Sequence, residues 1–196
     1  MRKIFFSLMI SISLVSLGYG DSRFAEVNYS GFYIGLQYGV LDFNYANSNY
    51  AGYGNKFDEA LHFTVQGYLG YNFLKYWSLE LSYQYYGNPC FENKNEKQYM
   101  LQQGGHVVGK INLPLINNFS IYAKGGVGLV FRSSLESRGG KFSSQSPDCH
   151  LVPVVGGGVC YWVSKELGFD LSYTSTWKIN DLPAMQTYAV GFVYRF

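Results

Sequence analysis

The chain has 196 residues, with 15 Lys and Arg against 13 Asp and Glu, a formal net charge of +2, and 19% aromatic residues, including 19 Tyr and 15 Phe. A charge balance this even recruits neither nucleic acid nor an acidic surface. The length suits one domain.

Residues 1–20, MRKIFFSLMISISLVSLGYG, place Arg2 and Lys3 ahead of an apolar stretch from Ile4 to Leu17 and close on Gly18 and Gly20. That order predicts a secretory signal peptide cut before Asp21, since the apolar stretch falls short of the roughly 20 residues a spanning helix needs. Its removal takes away two positive charges and leaves acids and bases in balance. Residues 21–196 then read as a single domain, because no Pro-rich, Ser-rich or charged linker divides them. No later apolar run is long enough for a transmembrane helix. The aromatics instead recur at alternate positions near the ends of segments of about ten residues, as in a transmembrane β-barrel.

Eight segments show this period-two alternation. The first, 31–40, sets Phe32, Ile34, Leu36, Tyr38 and Val40 against Tyr33, Gly35, Gln37 and Gly39. The second, 61–71, sets Phe63, Val65, Leu69 and Tyr71 against His62, Thr64, Gln66 and Tyr68. The third, 77–85, is the most regular, with Trp77, Leu79, Leu81, Tyr83 and Tyr85 opposite Ser78, Glu80, Ser82 and Gln84. In the fourth, 101–113, Gln103, Gly105 and Gly109 interrupt an outer face of Leu101, Val107, Ile111 and Leu113. The fifth, 119–132, turns Phe119, Ile121, Val127, Leu129 and Phe131 outward and Tyr122, Lys124 and Arg132 inward. The sixth, 151–163, contains Pro153, which lacks a ladder donor and predicts a frayed or bulged rim. The seventh, 167–174, sets Leu167, Phe169, Leu171 and Tyr173 against Gly168, Asp170, Ser172 and Thr174. The eighth, in the terminal TYAVGFVYRF, has Tyr188, Val190, Phe192, Tyr194 and Phe196 on one face and Ala189, Gly191, Val193 and Arg195 on the other.

The connections 72–76, 114–118 and 164–166 are short, whereas 41–60, 86–100, 133–150 and 175–186 are long. Short turns at one rim and long polar loops at the other predict an outer-membrane barrel with its long loops outside the cell and both termini in the periplasm. Unpaired backbone groups are costly in hydrocarbon, so the eighth strand must pair with the first. The expected fold is all-β: an eight-stranded antiparallel up-and-down transmembrane β-barrel, integral to the outer membrane after leader cleavage.

A lumen of eight strands is filled by side chains. Counting from the short-turn rim puts the inward charges Glu80, Lys110 and Asp170 at one level and Lys124 slightly farther in. Two acids and two bases across a narrow lumen neutralise one another and predict a polar plug; the alternative is a solvated set in a leaky lumen. Inward glycines, among them Gly35, Gly70, Gly126, Gly128, Gly156 and Gly158, make room for Tyr33, Tyr68, Tyr122 and Trp162. The Gly156-Gly157-Gly158 run lacks the Lys and helix of a phosphate cradle.

Cys90, in the second long loop, and Cys149, at the end of the third, meet at the outer rim in an oxidising compartment. A bridge between them stands against the alternative of three free thiols. Cys160 lies about 36 Å along the same strand from Cys149 at ~3.3 Å per residue, so those two cannot pair. His62, His106 and His150 show no metal-ligand spacing. The Asp148-x-His150 pair with the loop residues Ser143, Ser144 and Ser146 reads as a solvated loop rather than a hydrolytic triad. No catalytic, metal or cofactor site is expected.

The stretches IYAKGGVGLVF, PVVGGGVCYWVSKELGFDLSY and YAVGFVYRF resemble the transmembrane domain of OmpA-like and opacity-type surface proteins. The resemblance runs over essentially all of 21–196 and implies the barrel fold and the outer-membrane location. Family members often carry Glu where Cys160 stands in GVCY, so the inner charge network differs here. With the chain ending at Phe196, the resemblance implies the membrane domain without the peptidoglycan-binding domain of full-length OmpA, and hence no cell-wall tether.

The function expected is that of a small barrel with a plugged lumen and no enzymatic activity. Its role would be structural and surface-interacting, adhesin- or opacity-like, through four long loops. The first loop, rich in Asn44, Tyr45, Asn47, Asn49, Tyr50 and Tyr53, suits stacking and hydrogen bonding. Expected partners are outer-membrane lipid and lipopolysaccharide, the barrel-assembly machinery through the C-terminal strand, and a host or envelope surface ligand. Competing readings are a lipid A-modifying enzyme, for which no catalytic motif is found, and a narrow low-conductance pore. A soluble lipocalin-type barrel conflicts with the greasy outer face of Trp77, Leu79, Leu81 and Tyr83.

Overall fold

The computed structural model describes residues 30–44, 56–57, 62–87, 90–93, 96–99, 101–116, 118–133, 136–137, 148–177, 179 and 182–196. The expected leader and most of the first loop lie outside these residues. Eight long strands form the wall: β1 (Gly31–Asn44), β2 (His62–Asn72), β3 (Trp77–Gly87), β4 (Gln102–Ile116), β5 (Phe119–Arg132), β6 (Asp148–Trp162), β7 (Leu167–Thr176) and β8 (Ala184–Arg195). Each pairs antiparallel with the next, and β8 pairs with β1 from Tyr33↔Arg195 to Asn44↔Ala184, closing the barrel. A second, four-stranded sheet joins Lys56–Phe57, Cys90–Asn93, Glu96–Tyr99 and Glu136–Ser137, segments from three of the long connections.

The wall is inside out relative to a soluble protein. Leu36 and Leu81 are 60% and 57% exposed, whereas their chain neighbours Gln37 and Ser82 are 2% and 4% exposed. Apolar area of this extent is stable only against lipid. Aromatic side chains bracket the aliphatic band. Phe32 packs on Tyr71 and Phe169 on Phe192 toward the short turns, and Tyr38 packs on Phe63 and Tyr173 on Tyr188 toward the long loops. Interfacial aromatic girdles of this kind suit rings with one apolar and one wet side.

Several strands run farther than the alternation alone suggested. β1 extends to Asn44 and β3 to Gly87, where the register with β4 shifts between Tyr85 and Gly87 and Gly87 takes φ 89°, a left-handed conformation that favours glycine. Pro153 does not fray β6. It sits within an unbroken ladder to β5, opposite Val127. Its carbonyl accepts from Trp177 N at 3.2 Å, so its donor-less nitrogen faces the β7 side, where the β6–β7 ladder has already ended at Val154↔Thr176. The missing N–H therefore falls one residue beyond the end of β7, opposite Trp177, and interrupts no rung of the β6–β7 ladder.

Candidate functional site: the lumen and its two mouths

The inward half of each strand's alternation fills the lumen in three levels. Nearest the short turns lies an ionic layer. Glu80 of β3 faces Lys110 of β4 at 3.6 Å and Lys124 of β5 at 3.9 Å, and accepts from the Tyr33 hydroxyl of β1 at 3.3 Å. Asp170 of β7 accepts from Gln37 Nε2 at 2.7 Å, Tyr122 OH at 2.8 Å and Tyr68 OH at 3.1 Å. The Lys110 ammonium lies 3.8 Å from the centre of the Tyr122 ring, which ties the two halves together. Glu80, Lys110 and Lys124 thus meet directly, and Asp170 joins them through tyrosines rather than through an ion pair.

Space for these rings comes from glycine directly across the ladder. Tyr33 pairs with Gly70, Tyr68 with Gly35 and Tyr122 with Gly158. A Cβ at Gly70 or Gly35 would stand 2.0 or 2.1 Å from the facing Tyr Cζ. Trp162 similarly covers Gly168. Gly126, Gly128 and Gly156 serve other neighbours: the Val107 and Val108 backbone, the His106 ring, and Lys124 with the β7 backbone.

The middle level is held by neutral hydrogen bonds. Gln84 donates to Thr64 and Thr187, Ser172 donates to Gln37, and Tyr86 OH meets His106 Nε2 at 2.5 Å. Above it, toward the long loops, the lumen becomes apolar. Leu41, Tyr86, Val108, Val130, Val152, Val154 and Met185 form one buried cluster with Leu182. Leu182 belongs to the β7–β8 connection, which doubles back through a bridge between Ile179 and Leu182 and drops Leu182, 0% exposed, into the mouth. The alternation read from sequence ends the third strand at Tyr85 and gives 175–186 as a polar loop, whereas the strand runs on to Gly87 and the connection buries Leu182. The inward valines at 130, 152 and 154 were the available signal.

On the last rung of the β5–β6 ladder, on the loop side of Phe131, Arg132 stands opposite Asp148. Its Nε donates to Asp148 Oδ1 at 2.8 Å, its Nη2 makes a second contact with Oδ2, and His150 Nε2 lies 3.1 Å from both. Partial burial pushes the Asp148 carboxyl up, but hydrogen bonds from Arg132 and His150 and their charges outweigh it and hold the group below its ordinary value. The Asp-x-His pair is thereby committed to a guanidinium. Ser143, Ser144 and Ser146 lie outside the described residues.

Cys149 is exposed and its thiol is free; Cys160 is free and buried in the lumen. The side chain of Cys90 lies outside the described residues. Tyr188, Val190, Phe192, Tyr194 and Phe196 all face outward, between 40% and 72% exposed. Among the described residues no cluster of three or more His, Cys, Asp or Glu could hold a metal ion.

A closed eight-stranded wall, apolar outside and polar within, defines an integral outer-membrane β-barrel. Residues 28–196 match the OmpA-like transmembrane domain, and the chain belongs to that family. It is similar to outer membrane protein A of Salmonella typhi, 28% identical over 134 residues that cover 65% of this chain and 38% of that protein. The chain therefore matches about two fifths of that relative's length. In fold it is similar to Neisserial surface protein A, with a TM-score of 0.61 at 16% identity over 85% of this chain and 98% of that one. It is also similar in fold to Ail, the attachment invasion locus protein of Yersinia pestis, crystallised with the heparin analogue sucrose octasulfate. There the TM-score is 0.53 at 16% identity over 85% of this chain and 97% of that one.

Proposed function

We propose that this outer-membrane barrel has a plugged lumen and acts through its outer-rim loops, as a structural and surface-interacting protein with no chemistry of its own. One observation carries the reading: an ionic layer and an apolar layer cross the same narrow lumen in series. Ions would have to break the first and shed water in the second. Loop segments joined into a separate sheet beyond the wall support a presented surface.

The partners follow from the same geometry. Lipid and lipopolysaccharide surround the apolar wall, and the barrel-assembly machinery engages the outward residues Tyr188, Val190, Phe192, Tyr194 and Phe196 at the end of the chain. The loops take a host or envelope surface ligand. Ail holds a sulfated heparin analogue in its crystal structure, and a sulfated polysaccharide is the first ligand class to try here. Cells with and without the gene are compared for binding to a heparin-coated surface and to host cells. Equal binding in both comparisons overturns the surface role, and stable single-channel steps from the pure protein in a planar bilayer overturn the plug.

A further inference from the structure

The lipid-facing wall is apolar to different heights on its two sides. On β5 the outward face is apolar from Phe119 to Phe131, and on the closing segment from Phe196 to Tyr188. Both faces begin at the short-turn rim, where Phe119 opens β5 and Phe196 N donates to the Phe32 carbonyl at 3.0 Å. At ~3.3 Å per residue and a strand tilt of about 40°, they rise about 30 and 20 Å. The β8 side thus turns polar roughly 10 Å below the apolar edge of the β5 side.

One rung across three strands replaces the apolar side chains there. Ser175 of β7 stands opposite Gln186 of β8, and Gln186 stands opposite Asp42 of β1. The three are in step with Tyr173, Tyr188 and Val40 one outward position below, so they belong to the outer face and not to the lumen. Asp42 is exposed, and the other two are half-buried. Among the described residues, none of these three side chains makes a hydrogen bond or an ion pair. Beneath them the Tyr173 and Tyr188 rings pack at 5.1 Å, and Trp177, 57% exposed, follows on the β7 side.

A carboxylate, an amide and a hydroxyl over aromatic rings match a ligand rich in hydroxyl groups. Its hydroxyls donate to Asp42 and exchange hydrogen bonds with Gln186 and Ser175, while the apolar face of a sugar ring lies against tyrosine. A bare phosphate would instead meet Asp42 as a like charge. We propose that Asp42, Ser175 and Gln186 hold the saccharide of a glycolipid in the leaflet on the long-loop side, bound through its sugar hydroxyls above the Tyr173–Tyr188 pair. This rests on lipopolysaccharide being a lipid that surrounds the wall. A carboxylate on the lipid face costs more the deeper it lies, and a headgroup that settles onto this side meets it with hydroxyls instead of acyl chain.

The test uses the mature chain refolded in an amine-oxide detergent, because a maltoside would bring a sugar of its own. Deep-rough lipopolysaccharide is added while backbone amide resonances are followed. Saturable shifts at Asp42, Ser175 and Gln186 and none at Leu129 and Leu151 are expected, with or without EDTA. Asp42→Leu should weaken binding roughly tenfold, the size of one hydrogen bond to a charged group. Heat-modifiable gel migration checks its folding, and Gln186→Leu, expected to weaken binding as well, carries the test if Asp42→Leu does not fold. Leu151→Gln should bind as the parent does. Unweakened binding in a folded Asp42→Leu protein, or shifts spread evenly around the wall, overturns the patch and leaves lipopolysaccharide as the surrounding lipid. No binding of lipopolysaccharide overturns both. Shifts at the three residues on raising the protein concentration alone would assign the patch to a second copy, and binding lost in EDTA would assign it to a cation-bridged phosphate; either result overturns recognition through sugar hydroxyls.

Discussion

Replacing Glu80 by Gln isolates the charge at the centre of the ionic layer. Glu80 is 3% exposed, and the amide keeps its volume and can still accept from Tyr33 OH. At 3.6 and 3.9 Å, each Lys–Glu attraction is about 4 kcal/mol at an effective dielectric of ~20. Desolvation of the ions offsets much of that in the parent, but removing one partner leaves two buried ammonium groups facing the remaining carboxylate, Asp170. Breaking a buried pair in this way costs about 3–5 kcal/mol. Reversible urea unfolding in lipid vesicles, followed by Trp fluorescence, measures the loss. A loss within about 1 kcal/mol, the size of a solvated surface pair, would mean that water reaches Glu80 and that the lumen is not packed as described.

Gly35→Ala would drive its Cβ to 2.1 Å from Tyr68 Cζ and should cost about 1–3 kcal/mol in the same unfolding assay. Gly67→Ala, whose Cβ meets nothing within 4 Å, should cost far less, and equal losses would remove the steric account. The Asp148 carboxyl is held below its unfolded value, so its stabilisation is present above the ordinary carboxylate range and lost as pH falls through the depressed value. Asp148→Asn should therefore flatten the acid limb of stability against pH; an unchanged acid limb would show that the Arg132 contact contributes nothing. For the thiols, free and exposed Cys149 should react with a polar maleimide in the folded protein, and buried Cys160 only after unfolding. A Cys149 that reacts only after reduction establishes the Cys90–Cys149 bridge instead.

The wall was legible because its signal is local. Side chains alternate along every strand, lipid demands apolar groups on one face, and Trp77 to Tyr85 can be read without knowing any neighbour. Glu80, Lys110 and Lys124 were also within reach, since counting from short turns fixes height along the lumen. Asp170 shows where counting stops. Its level could be read, but its actual partners, Gln37, Tyr68 and Tyr122, depend on how strands tilt and stagger around the closed barrel. Pro153 misled for the same reason. Whether a missing donor matters is decided by the neighbouring strand's length, and β7 ends one rung short of it. Leu182 was out of reach, because nothing local distinguishes a loop leucine that enters a lumen from one that stays in solvent.

On the proposed plug, two barriers in series change what a conductance experiment should show. Opening the ionic layer alone leaves an ion to cross the level of Leu41, Val130, Val152, Leu182 and Met185, where the hydroxyl of Tyr86 is already tied to His106 and the other side chains offer no group to replace its water. Narrow apolar constrictions stop ions by dewetting. Removing Leu182 alone leaves the ammonium and carboxylate groups below still packed across the path. Glu80→Gln and Leu182→Ala should each remain silent in a planar bilayer, while the double variant should show single-channel steps. The comparison is made on protein that passes a heat-modifiable gel shift, since Leu182→Ala by itself should cost about 2–5 kcal/mol. Steps from Glu80→Gln alone would refute the apolar layer as a barrier, because one open level would then suffice for conduction.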